Sequence, residues 1–107
     1  MNLLKETLKH IKEKDKKVGD ISFIKQGDTY FHWEDFRKKA ADIEYYGGFG
    51  VQYIKDTEIV YKDGSWSNRC EIEGAEWWEH YSEGAPSQPA KYEPPSDLVH
   101  SDYYWVI

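Results

Sequence analysis

Between residues 57 and 81 the chain reads as three short extended runs, TEIVYK, WSNRCEI and EWWEHY, separated by Asp63-Gly64 and Glu73-Gly74. Asp-Gly suits a tight hairpin because glycine reaches positive φ without a steric penalty. Runs of this length joined by such turns predict an antiparallel meander. On the middle run Trp66, Asn68, Cys70 and Ile72 share one face, with Ser67, Arg69 and Glu71 on the other. On the third run Trp77, Glu79 and Tyr81 oppose Glu76, Trp78 and His80. Both faces of that run therefore carry an indole. Either a second layer covers the other face or one indole is partly exposed.

The segments before the meander supply helices and a further hairpin. Residues 2–16 predict an amphipathic helix: Leu4, Leu8 and Ile11 recur at helical spacing beside Leu3, Asn2 suits the N-cap, and Gly19 breaks the pattern. Lysines crowd the C-terminal end, the negative pole of the helix dipole. ISFIKQ (21–26) is rich in β-branched and aromatic residues and ends at Gly27-Asp28, so Thr29 to Phe31 can pair back on it. From Trp33 the period changes. Trp33, Phe36, Ala40 and Ile43 fall on one face of a second helix, about residues 33–42, with acids early and bases late. IEYYGGFGVQYI (43–54) reads as two extended arms around a glycine-rich turn, which matches no phosphate-binding loop.

After the meander, residues 83–97 hold all 4 prolines and read as an irregular connector. The terminal DYYWVI (102–107) is strongly apolar and is expected to dock back on the sheet, since those side chains in water would invite aggregation. Residues 1–107 thus predict one α+β domain: two helices packed on a small antiparallel β-meander, with a C-terminal segment docking on the sheet. The 5 Trp, 9 Tyr and 4 Phe let a chain with only 39% hydrophobic residues bury enough area for a core.

Charge narrows the partners. The net charge is -6, but residues 1–17 carry six lysines against three acids, whereas from Glu71 onward eight acids face Lys91 alone. Such a surface repels phosphate and attracts a basic protein groove, so direct nucleic-acid binding is not expected. The bland alternative is that the acids only keep a Trp-rich chain soluble. A single cysteine, with no apolar run of signal or membrane-spanning length, points to a reducing cytoplasm and no membrane.

No catalytic constellation stands out, and no cofactor is implied. His10, His32, His80 and His100 are scattered, and no CxxC exists to join them in a zinc site. Cys70 reads as a small buried filler, its neighbours Arg69 and Glu71 pointing the other way. The carboxylates Glu71, Glu73, Glu76 and Glu79 lie close together, yet a meander offers no cleft to hold two of them across a glycosidic bond. Stacking of Trp66, Trp77 and Trp78 on a sugar or peptide is the better form of that idea.

The stretch 36–82, with IEYYGGFG, the IVYKDGSW hairpin and EIEGAEWWEHY, resembles small phage and prophage proteins that share a DG-W hairpin and a G-x-E-W-W segment. The resemblance implies a mobile-element accessory protein and no enzymatic mechanism. Small acidic products of such genes often inhibit host defence nucleases, CRISPR effectors among them, by filling basic channels. The expected function is therefore binding and inhibition of a basic host protein, with a nuclease as one candidate. The expected partner-binding residues are Glu71, Glu73, Glu76 and Glu79 for steering and Trp77 or Trp78 as anchor. An aromatic carbohydrate- or peptide-binding module and an assembly protein remain alternatives.

Overall fold

The computed structural model describes residues 1–45, 54, 56–72, 75–95 and 98. Helix α1 (Leu3–Glu13) leads through a short 3-10 turn into strands β1 (Ile21–Gln26) and β2 (Thr29–Phe31); α2 (Trp33–Ala40) follows. Strands β3 (Thr57–Tyr61), β4 (Trp66–Ile72) and β5 (Ala75–Tyr81) form the expected meander, and β6 (Lys91–Tyr92) closes the order. Among the described residues all six strands belong to one sheet, ordered β5-β4-β3-β1-β2-β6. Every neighbouring pair is antiparallel except β2 and β6. The fold is α+β, as the sequence predicts.

Local chemistry sets the boundaries. Asn2 accepts the Lys5 N–H at 3.0 Å and starts α1. The helix ends earlier than expected, because Asp15 takes φ 57 and the Lys16 N–H reaches back to the Ile11 carbonyl at 3.0 Å. Aspartate tolerates the left-handed region better than most residues, so Gly19 is not the breaker. In α2 the Asp35 carboxylate accepts the His32 N–H at 3.0 Å and also the Tyr92 hydroxyl at 2.7 Å. The second bond ties β6 to the start of α2. At the β3–β4 hairpin Gly64 sits at φ 87, and Asp63 accepts from both the N–H and the hydroxyl of Ser65. Lys16 pairs with the same Asp63, joining the end of α1 to this turn.

One side of the sheet packs on the helices. Ile24, Phe31, Ile59, Tyr61 and Trp78 meet Leu3, Ile11, Phe36 and Ala40 in a single buried cluster that also takes in Leu98. A bulge between Ile21 and Phe23 lets both Ile21 and Ile24 face the helices and turns Phe23 outward, opposite Val60. On the open side Phe23, Tyr30 and Tyr92 form a second aromatic group, with centroid separations of 6.2 and 5.5 Å. The short parallel β6 lies in the stretch that the prolines marked as irregular. The two arms expected around residues 47–50 and the docking of residues 102–107 lie outside the described residues, apart from a bridge between Glu44 and Asn2.

The faces of α1 and β4 are assigned differently from the sequence reading. The buried stripe of α1 is Leu3, Thr7, His10 and Ile11, while Leu8 is 40% exposed. On β4, Ser67 and Arg69 face the helices and are buried, leaving Cys70 half-buried on the open side. Cys70 is therefore no core filler. The reason is that β4, β5 and α1 meet through matched polar groups rather than hydrocarbon, as the next section describes.

Candidate functional site

Register decides which side chains of the β4–β5 hairpin can meet a partner. Cys70 pairs with Trp77, Asn68 with Glu79, and Trp66 with Tyr81; all six point to the open side. Arg69 pairs with Trp78, Ser67 with His80, and Glu71 with Glu76, and these point to the helices. The six expected partner-binding residues are consequently divided. Trp77 and Glu79 are on the open side. Glu71, Glu76 and Trp78 are on the helix side, and Glu73 lies outside the described residues. The expected single solvent-facing cluster of indoles and glutamates does not form.

Trp78 and Glu76 are inside for identifiable reasons. The Trp78 indole N–H donates to Thr7 Oγ1 at 3.0 Å, fastening β5 to α1. Glu76, with 1% of its side chain exposed, accepts from Arg69 Nε at 3.0 Å. The Arg69 guanidinium is fully enclosed: it also donates to the Tyr45 hydroxyl at 3.0 Å and stands over the Trp78 ring, 5.2 Å from its centroid. Glu6 lies 3.1 Å from Nη1, as an ion pair without hydrogen-bond geometry at that nitrogen. Burial opposes the Arg69 charge, yet Glu6 and Tyr45 outweigh it and hold its pKa above the ordinary value. The Tyr45 hydroxyl in turn is pushed up to about 12 by burial and by its bond to Glu6. Glu76 is thus committed to neutralising a buried cation and cannot steer a partner.

A second polar group lies beside the first. Ser67 Oγ sits between His10 Nε2 at 2.8 Å and His80 Nδ1 at 3.0 Å, with the Tyr61 hydroxyl at 3.5 Å. The Ser67 hydroxyl has one hydrogen and can donate to at most one ring, and a ring that accepts from it must be neutral. Burial first, then the neighbouring His80 and Lys14, lower the His10 pKa to about 4. His80 is lowered too, chiefly by burial. A serine between two histidines invites comparison with a nucleophile and base, but Ser67 is completely buried beneath α1. It works as a clasp. No sequence pattern announced it, because His10 and His80 are 70 positions apart on different elements.

The open side is where contact chemistry is available. Along β5 the order is Trp77, Glu79, Tyr81; Glu79 is exposed and Tyr81 is 43% exposed. The Trp77 indole N–H donates to Glu79 Oε1 at 2.8 Å. Tyr81 stacks on Trp66 with centroids 4.5 Å apart, and the Trp66 N–H donates to the Glu83 carbonyl at 3.0 Å. Ile72, at the far end of β4, is 64% exposed. A carboxylate is thereby flanked along one strand face by two aromatic rings. Sugar stacking on three indoles has no platform here, since Trp78 faces the other way.

Other chemistry finds little footing. Burial, then Glu79, raises the Cys70 thiol pKa, which disfavours the thiolate. Among the described residues no three His, Cys, Asp or Glu side chains converge as metal ligands. Between α1 and β5 a shallow cleft of about 180 Å³ is lined by Glu6, Lys9, His10, Glu13, Trp77 and Trp78. Among the described residues no helix is long and apolar enough to cross a membrane. Comparison of the chain with protein-family models, curated proteins and solved structures finds no match.

Proposed function

We propose that the protein acts by binding a basic segment of another protein on the open side of the β4–β5 hairpin. The observation that carries this reading is the Trp77-Glu79-Tyr81 row, an exposed carboxylate between two rings on one strand face. A lysine or arginine side chain laid along it meets a ring face and the carboxylate together. Cation–π contact contributes about 0.5–2 kcal/mol, depending on how fully the cation is desolvated. A charge-assisted hydrogen bond to Glu79 adds directionality. The acidic balance from Glu71 onward steers such a segment toward the hairpin. The resemblance to phage accessory proteins extends the reading: the basic segment would line the nucleic-acid channel of a host defence enzyme in the cytoplasm, and occupation would inhibit it.

An arginine-rich peptide titrated against the protein, followed by anisotropy of a dye on the peptide, tests the site. Glu79→Lys should weaken binding roughly tenfold or more. Glu93→Lys changes net charge equally, away from the hairpin, and should have a much smaller effect. Equal losses in the two variants would mean that bulk charge alone attracts the peptide, and the proposed site would be wrong.

A further inference from the structure

The sheet has two unlike edges. On one, β2 is joined by β6, and Pro94 and Pro95 follow after Glu93. On the other, β5 stands at the margin, and among the described residues nothing pairs with its free side. This strand is seven residues long, holds no proline, and keeps unbroken register with β4 from Ala75 to Tyr81. Natural edges are usually blunted by prolines, bulges or lysines, and β5 has none of these. Its aromatic margin is suited to a strand from outside.

The sequence of β5 specifies which strand. Antiparallel pairing of β5 with a copy of itself, over its full length, centres on Trp78. A two-fold axis perpendicular to the sheet keeps both pairs of helices on the same side and opposes residues of the same face. Ala75 then meets the other copy's Tyr81, Glu76 meets His80, and Trp77 meets Glu79. No like charges are opposed. The Trp77–Glu79 pairing faces between copies the same indole and carboxylate that bond within each copy at 2.8 Å, so the single indole N–H can turn to either carboxylate. On α1, Lys9 and Glu13 are exposed residues of the cleft beside β5 and form an ion pair at 3.8 Å within one helix.

We infer that the protein forms a two-fold dimer in which β5 pairs with β5 of a second copy, making one continuous sheet. The open-side row proposed above for a basic segment lies on that sheet, and Trp77 and Glu79 take part in both.

Sedimentation equilibrium of the full chain at about 100 µM, well above the monomer-dimer midpoint of a stable pair, tests the inference. The unaltered chain should have the mass of a dimer. Trp77→Glu places a glutamate opposite Glu79 of the other copy, twice by symmetry, and should weaken association roughly tenfold or more. Adding Glu79→Lys to that variant makes both contacts attractive again and should restore the dimer. Circular dichroism confirms folding of each variant, since both positions lie on the open side, away from the core. A monomeric parent chain, a Trp77→Glu variant that associates as tightly as the parent, or a double variant that stays monomeric while folded would each overturn the inference. Peptide binding is read on a separate titration of the parent chain, since Trp77 and Glu79 also belong to the row proposed for the peptide.

Discussion

Lowering the pH should loosen the protein through His10, and the size of the effect follows from the clasp around Ser67. Above about pH 6.5 the imidazole is neutral in both the folded and the unfolded chain, and the hydrogen bonds to Ser67 contribute fully. Between that value and the folded pKa of about 4, the unfolded chain binds a proton that the folded chain refuses. Stability therefore falls as pH falls, over that window, and levels off below it. Taking the stated pKa and the ordinary value of 6.5, going from about pH 7.5 to about pH 5 removes about 2 kcal/mol. The lowered pKa of His80 acts in the same direction. The charges facing the clasp come from α1 (Glu6, Glu13), from the segment after it (Lys14, Lys16) and from the β3–β4 turn (Asp63). Urea unfolding followed by tryptophan fluorescence across this range measures the loss. His10→Gln keeps a donor and an acceptor for Ser67 but cannot titrate, so its midpoint should change less with pH than that of the parent. An equally steep dependence in His10→Gln would refute the assignment to this ring, and a flat dependence in the parent would refute the clasp altogether.

Removing the Arg69 side chain as Arg69→Ala should destabilise the fold by about 3–5 kcal/mol, because it strands the carboxylate of Glu76 in the interior; urea melts that shift by less than 1 kcal/mol (roughly the worth of an exposed pair) would contradict the burial. Phe36→Ala removes a fully buried ring from the helix–sheet cluster and should lower stability by about 3–5 kcal/mol in the same assay. Gly64→Ala forces a Cβ into a positive-φ turn position and should cost about 1–2 kcal/mol, read as a lowered Tm, although nothing lies within 4 Å of the added atom.

The elements themselves were readable because each carries a local signal. Asp63-Gly64 and Gly27-Asp28 mark real turns, and β1, β2 and β4 begin and end where their β-branched and aromatic runs do. α2 was legible from the spacing of Trp33, Phe36 and Ala40, all buried. What could not be read from composition was which face of the hairpin is inward, because Ser67, Arg69 and Glu76 look like solvent-facing residues until their partners on α1 are known. A signal was nonetheless present. Asp63-Gly64 sets the register that puts Glu58 beside Asn68 and Ile59 beside Ser67. The apolar Ile59 marks its own face as the core side, and that carries Ser67, Arg69 and Trp78 inward with it. Half of the expected binding residues were misplaced for want of that step. Leu8 misled for a similar reason: hydrophobicity alone favoured it over Thr7 and His10, whose hydrogen bonds need strands far along the chain. Strand β6 has two residues and no local pattern; it exists because Tyr92 finds Tyr30 and Asp35.

The bond between Thr7 and Trp78 joins positions 71 apart, so α1 is anchored by a strand made much later. Until β5 emerges, α1 has neither Trp78 nor His80 to satisfy its inward polar groups, and a helix this short is marginal by itself. Nascent chains therefore carry α1 unanchored until β5 has been made. Contacts this distant in sequence close slowly. Maturation should accordingly be a late, concerted step that follows release of the meander, and folding speed should respond more to changes on β5 than to changes within α1.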